Sequence, residues 1–152
     1  MSATALLEID RLSVRFGTST VVDGVSFSIA AGEKFGLVGE SGSGKSITAL
    51  SILRLVDAAQ SSGAIRFDGE DLMAKSEREM RGIRGARIGM IFQEPMTALN
   101  PLQTIGEQVA ETVRIHRAAG RGKARRIARA TLDRVGLADR AEDVLVEGKA
   151  RA

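Results

Sequence analysis

Lys34-Phe35-Gly36-Leu37-Val38-Gly39-Glu40-Ser41-Gly42-Ser43-Gly44-Lys45-Ser46 is the stretch from which the fold of this chain can be read. Lys34 to Val38 is an apolar run of strand length that enters a glycine-rich loop directly. From Gly44 the pattern turns helical, with Ile47, Leu50, Ser51 and Arg54 at helical spacing and apolar bulk continuing to about Val56. Strand, Gly39-x-x-x-x-Gly44-Lys45-Ser46 and helix, in that order, form the context in which such a loop cradles phosphates. The glycines let the backbone curl so that successive N–H groups face an anion. Lys45 adds a mobile positive charge, the Ser46 hydroxyl is a ligand for magnesium, and the helix presents its N-terminus to the same anion. A dinucleotide-binding turn would leave Lys45 and Ser46 without a role, so ATP or GTP is the better ligand class.

Outward from the loop, Leu6–Phe16 and Val21–Ile29 read as two strands joined across Gly17 to Thr20. On the other side, Gln60 to Gly63 reads as a loop, Ala64–Phe67 as a strand, and Ser76–Ile83 as a short helix opened by a Ser76/Glu79 capping box. Arg87–Phe92 reads as a further strand, and Pro95 and Pro101 bracket a loop. Thr104–His116 and Lys123–Val135 have helical periodicity, the second stopped by Gly136. Glu142 to Ala152 has no period.

The composition of the 152 residues is that of a globular chain, 43% hydrophobic and 27% charged, with a net charge of +3 that selects no partner. The absence of cysteine excludes disulfides, thiolate metal sites and cysteine nucleophiles. No apolar run reaches the length of a membrane span, so any membrane association would run through a partner protein. The basic run from Arg114 to Arg129 lacks interleaved aromatics, with five Phe and no Tyr or Trp in the chain. It reads as a solvated helical face rather than a nucleic-acid surface.

Ala31-Gly32-Glu33, the loop Gly39 to Ser46, and Met90-Ile91-Phe92-Gln93-Glu94-Pro95-Met96-Thr97-Ala98-Leu99-Asn100-Pro101 together resemble the ATPase domains of ABC transporters. The last run is similar to their Q-loop. Its continuation into Thr104-Ile105-Gly106-Glu107-Gln108 is similar to the ATP-binding subunits of bacterial oligopeptide and dipeptide importers. The resemblance implies an α/β fold: a P-loop NTPase (RecA-like) core with an N-terminal antiparallel β-subdomain and the start of a helical subdomain, incomplete in this chain. By position, 1–33 would begin the β-subdomain, 34–93 would form part of the core, 94–140 would begin the helical subdomain and 141–152 would diverge.

The resemblance further implies that ATP with Mg²⁺ is bound by Gly39, Glu40, Ser41, Gly42, Ser43, Gly44, Lys45, Ser46 and Ile47, with Phe16 stacking on adenine and Val22 beside it. On pattern alone, Phe16 is equally well read as a packed strand residue. Lys45 and Gln93 would be the catalytic residues and Ser46 and Gln93 the metal-facing ones, with Gln93 also reaching the attacking water. The implied partners are transmembrane permease subunits and a second ABC ATPase domain, at the cytoplasmic face of the cell membrane, in an importer of the peptide or nickel class. His116, the single histidine, lies too soon after the Q-loop to be the family's switch histidine and reads as structural, a cation at a helix C-terminus.

No Gly-Gly pair occurs, hence no Leu-Ser-Gly-Gly-Gln-type signature, and no four aliphatics run into Asp-Glu; Val144-Leu145-Val146-Glu147 is a poor substitute. The expectation is therefore a truncated chain that binds ATP without hydrolysing it alone, with apolar edges left exposed in its parallel sheet. A non-catalytic nucleotide-binding or docking module is the alternative. Another P-loop enzyme such as a kinase is a further one.

Overall fold

The computed structural model describes residues 5–92 and 99–143. Its elements are β1 (Ala5–Phe16), β2 (Ser19–Ala30), α1 (Lys45–Ile52), β3 (Gln60–Phe67), β4 (Glu70–Asp71), α2 (Glu77–Ile83), α3 (Ile105–Arg117), α4 (Arg121–Arg134) and a 3₁₀ turn, Ala138–Arg140. They fall into two compact units that divide between Arg81 and Gly82.

The first unit is built on an antiparallel sheet in the order β2-β1-β3-β4. The expected hairpin forms, Phe16 pairing with Ser19 across a two-residue turn. In β1 the buried positions are Leu7 and Ile9, then Leu12 and Val14, so the parity of burial changes between Ile9 and Leu12. A bulge makes that change possible. The β1–β3 register shifts between Asp10 and Ser13, where Arg11 takes a left-handed conformation (φ 47°) and Gly63 sits opposite at φ 96°. One extra residue thus puts all four apolar side chains on the core face. Leu12, Val14, Ile65, Leu72 and Met80 are fully enclosed.

Helix α1 stops at Ile52, short of the expected Val56, because Arg54 turns left-handed at φ 52°. The N–H of Leu55 donates to the Leu50 carbonyl and that of Arg54 to Ser51, the paired bonds of a Schellman stop formed without glycine. The Arg54 guanidinium then donates to the carbonyls of Leu72 and Lys75, tying the helix end to the chain after β4. β3 starts at Gln60, four residues before the expected Ala64, because its early part pairs with Arg15, Val14 and Ser13 of β1.

The capping box at α2 is present in both directions. Glu79 accepts from the Ser76 N–H at 2.7 Å and from its hydroxyl at 2.5 Å, while the Glu79 N–H points back to Ser76 Oγ at 3.4 Å. The Ser76 hydroxyl, then its N–H, hold the Glu79 carboxyl below its usual pKa. A group whose folded pKa is depressed stabilises the fold above its unfolded pKa, and this contribution is lost as pH falls through the folded one. Glu79→Ala is therefore expected to lower the urea midpoint at pH 7, with the deficit against wild type vanishing under acid conditions. Midpoints at a series of pH values check this, and a deficit that is constant with pH would refute it.

Two expected strands are absent as sheet members. Lys34–Val38 and Arg87–Phe92 pair with no strand among the described residues; only an isolated bridge joins Arg84 to Ile88. A strand is defined by its ladder, and an apolar run with no strand beside it cannot build one; the N–H groups of Arg87 and Ile88 donate instead to the Ile83 carbonyl. The apolar side chains are correspondingly open: Val38 is 90% and Ile91 94% exposed, and Phe35, Leu37 and Phe92 are exposed as well. What the structure describes is an antiparallel sheet with helices, a partial α/β arrangement.

In the second unit α3 and α4 pack through Ala110, Ala124 and Ala128, with Val109, Val113 and Ala119 around them. Small side chains at the contact let two short helices approach closely. Thr104 caps α3, accepting from the Glu107 N–H at 3.2 Å. The first-turn N–H groups of Ile105 and Gly106 donate to the carbonyls of Asp143 and Ala141. The basic face of α4 is exposed, and Arg125 reaches across to Glu107 at 2.7 Å. Helix α4 ends as expected at Gly136, with Leu137 N–H donating to Leu132 and Gly136 N–H to Asp133. His116 is half-buried against the Gly85 turn, its Nε2 lying 2.8 Å from where a Cβ on Gly85 would stand, in keeping with a structural role.

Candidate functional site

The loop Gly39 to Ser46 follows the segment 34–38, which joins no sheet, and runs into the first residues of α1. A reverse turn, Ser43 N–H to Glu40 carbonyl at 3.2 Å, gives it curvature. Its centre is the Lys45 ammonium, which folds back over the loop and donates to the Gly39 carbonyl (2.8 Å), the Glu40 carbonyl (2.5 Å) and Ser43 Oγ (3.1 Å). All three ammonium donors thus end on acceptors of the same loop, which holds the positive charge against it.

Gly44 precedes α1 in the left-handed region (φ 85°), and no side chain caps the helix. The first-turn N–H groups of α1 are therefore free to meet an anion rather than a serine or aspartate oxygen. The helix is tied down from the other side, since Thr48 sends both its N–H (2.8 Å) and its hydroxyl (3.0 Å) to the Gly44 carbonyl. Ser51 similarly donates its hydroxyl to the Ile47 carbonyl.

Two contacts hold the loop on β2. A Cβ at Gly44 would stand 2.7 Å from the Val21 carbonyl oxygen and 3.1 Å from Val22 Cγ2, so only glycine lets the loop lie this close to the strand. Phe35, just upstream, stacks on Phe27 with ring centroids 4.8 Å apart and planes 11° from parallel. Gly44→Ala is expected to push the loop off β2 and lower stability by about 1–3 kcal/mol. Urea unfolding followed by circular dichroism checks it, and an unchanged midpoint would refute it.

The structure brings Gly39, Glu40, Ser41, Gly42, Ser43, Gly44, Lys45, Ser46 and Ile47 into one loop-and-helix start, with Ser46 exposed and Ile47 half-buried. Val22 is only 3% exposed and its contact is with Gly44, beneath the loop. Phe16 is half-buried at the end of β1. Gln93 lies outside the described residues, as do Glu94 to Ala98. Sequence reasoning did not find the Phe27–Phe35 stack or the Ser43 hydroxyl as a partner of Lys45. Phe27 falls in the expected strand Val21–Ile29, but no one-dimensional pattern reports which ring it meets. Among the described residues no group of three or more acidic or histidine side chains is placed to hold a metal, and no helix is long and apolar enough to cross a membrane.

The ABC transporter family model matches residues 22–150. The chain belongs to that family. The matched range takes in the phosphate loop and reaches past Glu142. Over 139 residues this ABC transporter chain is 52% identical to an uncharacterised ABC transporter ATP-binding protein, YejF, of Escherichia coli K12, the match covering 87% of the chain and 26% of that protein. It is 43% identical over 141 residues to the dipeptide transport ATP-binding protein DppD of the same organism, covering 89% of the chain and 43% of that protein. To the peptidoglycan transport ATP-binding protein YejF of Agrobacterium fabrum it is 49% identical over 139 residues, covering 87% and 26%. The chain thus spans less than half the length of these relatives, and matches an ATP-binding protein in each case.

Proposed function

We propose that the chain is the nucleotide-gripping part of the ATP-binding subunit of an importer in the peptide class, and that on its own it binds ATP with Mg²⁺ but does not turn it over. The observation that carries this reading is the loop itself: an ammonium centred on Gly39, Glu40 and Ser43, ahead of a helix N-terminus that no side chain caps. An ammonium at that place and unengaged first-turn N–H groups suit the polyanionic tail of a nucleoside triphosphate.

In this reading Lys45 exchanges a loop acceptor for oxygens of the β- and γ-phosphates, and the exposed Ser46 hydroxyl is a ligand for Mg²⁺. The metal supplies charge neutralisation between the phosphates. The resemblance of its run to the Q-loop is the sole support for proposing Gln93, outside the described residues, as a group for the metal and the attacking water. Phe16 is proposed to offer its ring to adenine; Val22, placed beside the base by the resemblance, is buried beneath the loop against Gly44 and would support that loop. Turnover would need further parts, since phosphoryl transfer is positioning and charge neutralisation by several groups at once and these 152 residues contain no Gly-Gly signature. The peptide class is suggested by the relatives named for dipeptide and peptidoglycan transport. The partners proposed on the same footing are permease subunits and a second ATPase domain, at the cytoplasmic side of the membrane.

Calorimetric titration with ATP and Mg²⁺, paired with a phosphate-release assay, tests both halves. Saturable binding without phosphate release above the Lys45→Ala background is expected. No saturable binding would overturn the first half, and release abolished by Lys45→Ala would overturn the second.

A further inference from the structure

Helices α3 and α4 border a cleft of about 280 Å³ that lies within the second unit. Helical spacing brings its lining onto one face of each helix: Glu107, Ala110, Glu111 and Arg114 from α3, Arg121 and Arg125 from α4. Among the described residues Ala110, buried at the helix contact, is the single apolar one that lines it. An apolar ligand would strip water from these charged groups and return nothing, so the cleft suits a charged one.

The charges of the lining do not all cancel one another. Arg125 is paired with Glu107 at 2.7 Å. Among the described residues the side chains of Glu111, Arg114 and Arg121 make no ion pair and no hydrogen bond. Glu111 and Arg114 are three residues apart on one helix, a spacing at which such a pair can form, yet they stay apart. Two guanidinium groups and one carboxylate are thus left over around a single space. Lys123, Arg126 and Arg129 of α4 do not line it, so the cleft is distinct from the basic face at large.

We infer that this cleft binds a small zwitterion, a free amino acid or short peptide whose carboxylate is taken by Arg114 and Arg121 and whose ammonium is taken by Glu111. A guanidinium presents a planar fork of donors that matches a carboxylate, and a carboxylate accepts from an ammonium. A plain anion such as phosphate would bring its charge against Glu107 and Glu111, and a plain cation would meet three arginines. The volume lies at the lower end of ligand sites, which limits the occupant to a few residues at most. The inference is independent of the reading of the phosphate loop, which belongs to the first unit.

The test titrates the full 152-residue chain with alanylalanine, without nucleotide, and follows the amide NMR shifts of α3 and α4. Because the charged side chains are exposed, saturation is expected with a Kd of about 1 mM, rising with salt. Acetylating the peptide's amino end, amidating its carboxyl end, or changing Arg121→Gln should each raise the Kd by about threefold or more. In Glu111→Gln the penalty for acetylation should disappear, and Lys123→Gln, outside the cleft, should bind as the wild type does. No saturable shift would exclude the site. Capped peptides that bind as well as the free one, or an Arg121→Gln chain with unchanged Kd, would overturn the assignment. Tighter binding of inorganic phosphate than of the dipeptide would make the cleft a simple anion site and overturn it as well.

Discussion

Lys45→Ala is expected to weaken ATP binding by about 100-fold or more while leaving the fold intact. The ammonium makes three bonds inside the loop, to Gly39, Glu40 and Ser43, and they have two consequences. They hold the loop closed on itself, and they keep a full positive charge against the loop, which in the proposed complex would trade a loop acceptor for phosphate oxygens. A charge-assisted hydrogen bond contributes about 1.5–3 kcal/mol, so the loss of two phosphate contacts corresponds to about two to four decades in affinity. The loop carbonyls would then face an anion with no cation between, which adds repulsion to the loss. Stability should change little, because the loop residues Glu40 to Ser43 are exposed and no core side chain is removed. Titration calorimetry with ATP and Mg²⁺, with circular dichroism as the folding control, decides the matter. Affinity within about threefold of wild type would exclude Lys45 as the principal cation.

Gly63→Ala should be the most damaging methyl group that can be added to the sheet. Gly63 lies at φ 96°, where an L side chain is strained, and its Cβ would stand 2.4 Å from the Arg11 carbonyl oxygen and 2.6 Å from that of Asp10. Those atoms belong to the backbone of the bulge and cannot rotate away as a side chain would. Relieving the clash means undoing the bulge, and undoing it turns either Leu7 and Ile9 or Leu12 and Val14 out of the core. The expected loss is about 3 kcal/mol or more, enough to unfold much of a marginally stable chain. Gly82→Ala is the control: in α2, at ordinary φ and with open space around it, the same change should stabilise by about 0.5–1 kcal/mol. Opposite shifts of the two urea midpoints are expected, and shifts of the same sign would refute the account of the bulge.

The places where the reading of the chain succeeded share a scale. Helix starts and stops at Gly44, Ser76/Glu79, Thr104 and Gly136 depend on groups three to five residues apart, and each is found as expected. Helix α1 ends early because Arg54 does, at φ 52°, what a glycine usually does, and composition gives no warning of that. The segments Lys34–Val38 and Arg87–Phe92 have the apolar pattern of buried strands, yet no described strand pairs with them, the single bridge from Arg84 to Ile88 apart. Pattern states what a segment could do if neighbours were supplied; it does not supply them.

By itself the sequence determined the glycine-rich loop, the family resemblance, the helices apart from the early end of α1, the Ser76/Glu79 box, the Gly136 stop and the two-strand hairpin, because each is written in residues close together along the chain. The tertiary structure alone decided that Gly44 lies against Val21 and Val22, that Phe35 stacks on Phe27, that Gly63 opposes a bulge at Arg11, and that Arg125 reaches Glu107. These are meetings of groups whose partners no local pattern specifies. They arise only when burial of the apolar faces has fixed register and turn geometry, and an ångström of backbone position then decides whether a contact is a hydrogen bond, a stack or a clash.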